Sequence, residues 1–584
     1  MKIRPSAALA LLPLPFVAAC GTTSGLRQAP AGAAAARVEV GIIALNDFHG
    51  ALEPPRAAVV APGPGGEAIP VPAGGAAWLA SAVDSVKARH PNHVVVAAGD
   101  LTSASQLASS LYLDEPAVGV MNRIGLEFNA VGNHEFDRGW KELQRLQSGG
   151  CEKNTRLEPC QLEPFKGAGY QYLSATTYRA DGSTLFPATG LKSFGTGREK
   201  VTIGFVGLSL RSVPTLVSPN QLAGLTFGDE AQAINRAIPA LKAQGADAVV
   251  VLIHQGGKTT AEDPNSCEGL TGDIRPILDQ LDPGVDLVVS GHTHWQYVCD
   301  YAHGGGSILL TSAGVYGKLV TDITLTIDPA THTVVGKKAQ NVIVQSQPYT
   351  SGRGDAPNTA AYPQFQPRPD VASYVAKYVG AAKDLINRPV GRLSGVAAKP
   401  SSEDASGGVL GNLVADAQLA ASKGAGARIA FTNPFGLRAP IDPAADGTVT
   451  FGQVYATQPF NNELVTMTLT GAQVRAVIEE GLNDAGSLQA LSPSAGFRFT
   501  YDMRRPAGSR VVSLTLDGQP LAPAATYRVT VVNFLAEGGD GFATFRQGVD
   551  PVRGMIDSEA LQQWLAAAPV RQVPQEERAV RLDR

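Results

Sequence analysis

The chain has 584 residues, 44% of them hydrophobic and 17% charged, with a formal net charge of -4. That length exceeds what one hydrophobic core usually serves and implies two large domains, and the composition is that of a globular protein. A net negative charge argues against a protein that grips nucleic-acid polymers through a basic face.

Residues 1–19 read as a secretion signal outside the fold. Lys2 and Arg4 precede an apolar stretch, Ala7–Ala19, that is too short to span a membrane. It ends in Val17-Ala18-Ala19-Cys20, which resembles a bacterial lipobox, where the cysteine becomes the lipidated first residue of the mature chain. The alternative is an ordinary signal cut near Ala19, with Cys20 incidental. With lipid on Cys20, the expectation is an exported protein anchored in the cell envelope, in the outer membrane facing the periplasm or the cell surface. The four remaining cysteines then suggest two disulfides, Cys151–Cys160 and Cys267–Cys299, against four reduced thiols as the alternative.

Residues 20–37 are rich in Ala, Gly, Ser and Thr and read as a tether. From 38 to 345, β-branched runs (Val40–Leu45, Val94–Ala98, Val201–Leu208, Ala248–Ile253, Val285–Ser290) alternate with helical patterns such as Ala76–Lys87 and Glu230–Gln244. Runs apolar at every position predict strands buried on both faces of an α/β sandwich. Residues 346–389 read as a linker plus a connecting helix, Asp370 to Asn387, and a second domain occupies 390–584. All nine histidines lie at or before His332, so imidazole chemistry belongs to the first domain.

Five polar clusters each follow an apolar run. They are Asn46-Asp47-Phe48-His49-Gly50, Gly99-Asp100, Gly132-Asn133-His134-Glu135, His254-Gln255-Gly256-Gly257 and Gly291-His292-Thr293-His294. Ligands of open α/β sheets gather beyond the carboxyl ends of strands, so five such ends bring these side chains to one edge. Carboxylates and imidazoles suit Zn, Mn or similar divalent ions, and a pair of ions serves in-line phosphoryl displacement. Singly each motif is weak, since an Asp after a strand is commonly a cap and a lone histidine is commonly structural.

With Gly99–Ser105, Asp114-Glu115-Pro116 and Gly132–Asp137 in the same chain, the sequence resembles the calcineurin-like metallophosphoesterases, and more closely the 5'-nucleotidase / UDP-sugar hydrolase family. The resemblance implies an N-terminal four-layered α/β-β/α sandwich and a C-terminal α+β nucleotide-binding domain. It implies one metal held by Asp47, His49, Asp100 and His294 and another by Asp100, Asn133, His254 and His292, with Asp100 as the bridge. His134 is then no ligand but faces the phosphate as charge stabiliser and general acid, with Asp137 orienting it; the alternative for Asp137 is a helix N-terminal acid. Asn46 is a further phosphate contact, and Glu135 has no assigned role.

In the second domain the resemblance rests on Asn433–Arg438, Gln458–Asn462 and Asn533–Phe542. It implies that Phe460 and Phe534 clamp a base, Asp540 holds the ribose, and Asn433 and Arg438 complete the substrate site. The alternative for each Phe is core packing. Two departures stand out. Pro434 and Phe435 replace glycines usual in the family, and Ser401–Leu410 lacks an Arg often found there. The implied activity is release of phosphate from 5'-nucleotides by a monomer or weak dimer with two divalent ions. Alternatives on the same site are 2',3'-cyclic-nucleotide or UDP-sugar hydrolysis, and, from another class, a non-catalytic nucleoside-binding surface lipoprotein.

Overall fold

The computed structural model describes residues 37–351, 354–400, 406–484 and 488–583. The secretion signal, Cys20 and residues 401–405 lie outside the described residues.

Strands of the N-terminal half form two six-stranded sheets. In the first the order is Thr333–Ile343, Leu319–Asp328, Val38–Leu45, His93–Ala97, Leu126–Ala130 and Gln171–Leu173, the last four parallel. In the second it is Gln296–His303, Gly306–Ala313, Leu287–Ser290, Ala248–Ile253, Val201–Leu208 and Thr189–Phe194, with the middle four parallel.

Side chains alternate across each strand, and both faces are buried. Val40, Ile42, Ala44, Val94 and Val96 of the first sheet meet Ile203, Phe205, Val250, Leu252 and Val289 of the second. Ile43, Leu45, Val95 and Ala97 point the other way, onto helices Ala76–Lys87 and Glu115–Ile124. On the second sheet Val206, Leu208, Val249 and Val251 pack under helix Glu230–Ala243 through Ile234 and Leu241. The layers therefore run helix, sheet, sheet, helix.

The strand read from Val285 begins at Leu287 instead. Asp286 ties itself to the neighbouring strand, accepting from the Val249 amide at 3.0 Å through its carboxylate. The connecting helix runs Pro369–Ile386, one residue earlier than read. Proline is favoured at a first helical position, where its missing N–H costs nothing. Val371, Val375, Tyr378 and Ala382 of this helix join the same core as Ile43 and Leu45. The segment before it is tied to the N-terminal half by Gln345. Its Nε2 donates to the carbonyls of Thr359 and Tyr362 at 3.1 and 3.0 Å, and its Oε1 accepts from the Thr359 amide at 2.7 Å.

The C-terminal half has a five-stranded sheet, in order Ser492–Pro493, Ile429–Thr432, Thr526–Val532, Glu463–Thr470 and Val549–Ile556, and a four-stranded one. Phe431, Phe497, Phe499, Phe542 and Phe545 fill its core. Helices Phe451–Thr457 and Gly471–Gly481 each start on a Thr/Gln capping box, Thr450 with Gln453 and Thr470 with Gln473. Disulfides join Cys151 to Cys160 and Cys267 to Cys299, as expected. Among the described residues no helix is long and apolar enough to cross a membrane.

Candidate active site

Parallel strands end together, so the residues just beyond them converge. The turns are sharp: Asp47, His49, Asp100, His292 and His294 take φ values of 48°, 47°, 53°, 71° and 63°, a region side chains rarely occupy. Such conformations persist only where surrounding structure fixes them, and they cluster at functional sites. Backbone ties supply that fixing. The Asp47 amide donates to Gly99 O at 3.0 Å, the His49 amide to Asp100 O at 3.0 Å, and the His254 amide to Leu208 O at 3.0 Å.

Two groups of ligand-type side chains result: Asp47, His49 and His294, and Asp100, His254 and His292. In each, the ligand atoms lie within 4.8 Å of one another. Asp100 Oδ2 sits between the groups, 3.0 Å from His254 Nε2 and 3.8 Å from His49 Nε2. Asn133 Oδ1 lies 3.1 Å from His254 Nε2 and 3.0 Å from His292 Nδ1. The structure thus brings all seven sequence-predicted ligand positions to one place.

The imidazoles are held with their free nitrogens inward. His49 Nδ1 donates to Ser103 O at 2.9 Å and His254 Nδ1 to Ala98 O at 2.7 Å, leaving Nε2 of each facing the carboxylates. This is the carbonyl-backed arrangement usual for metal-binding histidines. Burial pushes His49 and His292 down to about 3 and His294 well below its usual range, so these three are neutral. Burial also works against charge on His254, but Asp100 and Asp47 outweigh it and carry that group to about 10. Proton and metal compete for the same Nε2. Burial and the Asp100 charge push Asp47 up, against the pull of His254.

Asp47 and Asp100 are 0% and 1% exposed, and among the described residues neither pairs with a Lys or Arg. Buried carboxylates require positive charge beside them. Two divalent cations fit this donor set of carboxylate, imidazole and amide oxygen.

His134 stands on the short turn His134–Phe136. Its amide donates to Asp100 Oδ1 at 2.9 Å and its Nδ1 to Asp137 Oδ2 at 2.8 Å, which leaves Nε2 unengaged. Burial opposes its charge, but Asp137 and Asp100 prevail and hold it above the usual histidine range. Asp137 follows the turn rather than opening a helix.

Sequence reasoning missed two struts. Glu135 accepts from the amides of Gly132, Asp100 and Leu101 at 2.8, 2.8 and 2.7 Å, and so carries both metal-binding turns from below. Gly132 packs so closely that a Cβ there would lie 2.1 Å from Asp100 Oδ1. Asn46 is no phosphate contact. Its amide nitrogen donates to Asp47 Oδ2 at 2.6 Å and Gly314 O at 2.7 Å, and its oxygen accepts from the Ala313 amide at 2.8 Å, so no donor remains.

Above the ligands lies a cavity of about 1090 Å³ walled by both halves. From the N-terminal half come Asp100, Asn133, His134, Asp137, His292 and His294; from the C-terminal half come Asn433, Arg438, Phe460, Phe534 and Asp540. Asp47, His49 and His254 lie buried beneath it. The halves touch across it: the Phe460 ring stacks on His134 at 5.6 Å between centroids and 13° between planes. Arg438 lies 5.9 Å from the Phe460 centroid, and one of its terminal nitrogens is buried without a partner. Asn433 Nδ2 donates to Asp540 Oδ2 at 2.5 Å. Burial pushes Asp540 up to about 6, partly offset by Asn433, His134 and Arg438. Phe534 packs against Gly539, where a Cβ would approach its ring to 2.3 Å.

One departure from the family pattern, Phe435, also faces this cavity. Phe435, 39% exposed, is a third phenylalanine in its wall. Lys399, twelve residues upstream of Gly411, lines it too, and its Nζ donates to Leu437 O at 2.7 Å. Burial and the neighbouring Arg438 push Lys399 down to about 8.

Residues 41–296 match the calcineurin-like phosphoesterase family and residues 386–547 the 5'-nucleotidase C-terminal domain. The chain is 28% identical over 539 residues to the endonuclease YhcR of Bacillus subtilis, covering 90% of this chain but 40% of that one, so it spans under half of that relative. It is 30% identical over 554 residues to the cell wall protein Lmo0130 of Listeria monocytogenes, covering 90% of this chain and 67% of that one. The crystal structure of the 5'-nucleotidase precursor from Thermus thermophilus superposes with a TM-score of 0.75 at 26% identity, covering 94% of this chain and 100% of that one. With matches over 90% and 94% of its length, the chain belongs to the 5'-nucleotidase family, a calcineurin-like phosphoesterase domain followed by a 5'-nucleotidase C-terminal domain.

Proposed function

We propose that this chain is an exported phosphohydrolase that releases phosphate from 5'-nucleotides with the help of two divalent metal ions. The observation that carries the reading is the single cavity, with two ligand groups in its floor and Phe460, Phe534, Asp540 and Arg438 in its other wall. Asp47, His49, Asp100 and His294 hold one ion and Asp100, Asn133, His254 and His292 the other. Bound there, the ions would polarise the phosphoryl oxygens and would supply an activated water.

The chain's own residues do the rest. Phe460 and Phe534 stack the base, and Asp540 accepts from the ribose hydroxyls. The unpartnered nitrogen of Arg438 gives the phosphate a charge-assisted bond. His134, kept cationic by Asp137, stabilises charge on the phosphoryl group and delivers a proton from Nε2 to the leaving 5'-oxygen.

The test is a kcat/KM panel on AMP, UMP, UDP-glucose and 2',3'-cyclic AMP with the metal-loaded enzyme. AMP or UMP should rank first. A cyclic substrate far above both, or no turnover of any of them, refutes the reading. Export rests on the lipobox-like Val17–Cys20 and on the two disulfides, which belong to oxidising compartments. Metabolic labelling with a fatty acid should mark the chain, and Cys20→Ser should abolish the label.

A further inference from the structure

We infer that Tyr455 is a positioning residue whose hydroxyl, seated on Ser110 of the other half, couples the contact between the halves to the placement of Phe460 on His134. Four polar groups, two from each half, form a one-way donor chain. Arg138 Nη2 donates to Ser110 Oγ at 2.7 Å. The Ser110 and Tyr455 hydroxyls are bonded to each other, 345 positions apart in the chain. The Tyr455 hydroxyl donates to Pro459 O at 2.9 Å. Each hydroxyl has one proton to give, so the direction is set: guanidinium to serine, serine to tyrosine, tyrosine to the Pro459 carbonyl. Pro459 is the residue before Phe460.

The source of the chain is anchored under the metal end. Arg138 is ion-paired with Asp114, which is 0% exposed. Asp114 also accepts from the Ser103 amide at 3.0 Å and from Ser109 Oγ at 2.7 Å. The carbonyl of that same Ser103 holds His49 Nδ1. The path therefore runs from a ligand turn to the aromatic residue over His134. Tyr455 is 4% exposed and Ser110 3%, so water does not readily replace a missing partner. A buried chain polarised by a guanidinium is stiffer than its separate bonds, and loses more when one link is cut.

Among the described residues Tyr455 neither lines the cavity nor bonds to a metal-binding side chain, and on its own half it holds the Pro459–Asn461 segment that carries Phe460. The prediction is selective. A substrate with a base to stack depends on that seat; an aryl phosphate without a nucleoside depends on it less. The inference rests on the nucleotide reading above for its substrate arm, and the experiment separates the two.

The full-length, disulfide-intact, metal-loaded protein is compared as wild type, Tyr455→Phe, Ser110→Ala and the double variant. kcat/KM is measured for AMP and for p-nitrophenyl phosphate, and hydrogen exchange is followed at the Phe460 and Asn461 amides. Each single variant should lose about 5- to 100-fold on AMP, mainly in KM, because a buried partner is left unsatisfied. The loss on p-nitrophenyl phosphate should be at least about fivefold smaller. The double variant should lose less than the product of the two single losses, since both cut the Ser110–Tyr455 bond. Exchange at the two amides should quicken in all three variants. Equal losses on both substrates, or no loss on either, overturn the inference and leave Tyr455 as interface packing. A wild type that splits p-nitrophenyl phosphate but no nucleotide sinks the nucleotide reading alone; the exchange measurement then decides the inference, and unchanged exchange refutes it.

Discussion

The proposed metal end and the proposed nucleotide end of the cavity are built by opposite means. At the metal end the ligands hang from parallel strand ends, five of them in left-handed turns, and His49, His254 and the Asp100 turn are each backed by a further hydrogen bond. At the nucleotide end the recognition residues sit on short turns such as Pro434–Gly436 and Gly539–Gly541, with few struts and an exposed Phe435. Chemistry that depends on sub-ångström placement is secured by a rigid scaffold. Recognition that depends on stacking area and charge tolerates loops.

This contrast can be broken in graded ways. The largest effect belongs to Asp100→Asn, which weakens both ion sites at once. Metal analysis should show loss of bound divalent ions and kcat should fall to background for every phosphoester. His134→Ala should keep its metal yet lose about 10²- to 10⁴-fold in kcat. If His134→Ala also lost its metal, the residue would belong to the ligand set and not beside it. Glu135→Gln tests the struts: one carboxylate oxygen that now accepts two amides becomes an amide, and divalent-ion affinity should drop about 10- to 100-fold. At the other end, Phe534→Ala should raise KM for AMP about tenfold, within the roughly 1–3 kcal/mol of one lost stack, while p-nitrophenyl phosphate turnover stays within about twofold.

The smallest effect is a pH dependence. Asp540 is pushed up to about 6 by burial. Its charged form, which accepts from a diol, is present above that value and is lost as pH falls through it. KM for AMP should therefore rise below about pH 6, and Asp540→Asn should flatten that limb. A KM independent of pH between 5 and 7 would remove the ribose role from Asp540.

The same division governs what was legible in the sequence. Asp47, His49, Asp100, Asn133, His254, His292 and His294 were readable because each follows an apolar run, and strand ends gather in space. The layers followed from runs such as Ala248–Ile253, apolar at every position and buried on both sides. Supporting contacts were not readable. Glu135 reaches the Asp100 amide across 35 positions and Ser110 reaches Tyr455 across 345, and no local pattern encodes such pairs. Asn46 was misjudged for a related reason. Position beside a ligand suggested contact with substrate, whereas its amide is fully spent on Asp47, Ala313 and Gly314. Phe435 showed as a departure from a family pattern, Lys399 drew no notice in the sequence, and only the fold put both in one wall.

Gly132 carries a last consequence. Its φ is not in the left-handed region, so torsion does not forbid alanine; crowding does, because a methyl group would occupy the space of the Asp100 carboxylate and approach the Glu135 oxygen to 2.8 Å. A single hydrogen atom at this position thus sets how near two neighbouring strand tips can draw together. Swapping it for a methyl would not erase a donor or a charge, yet it would widen the bite of the whole centre, and with it the range of cation radii the protein accepts.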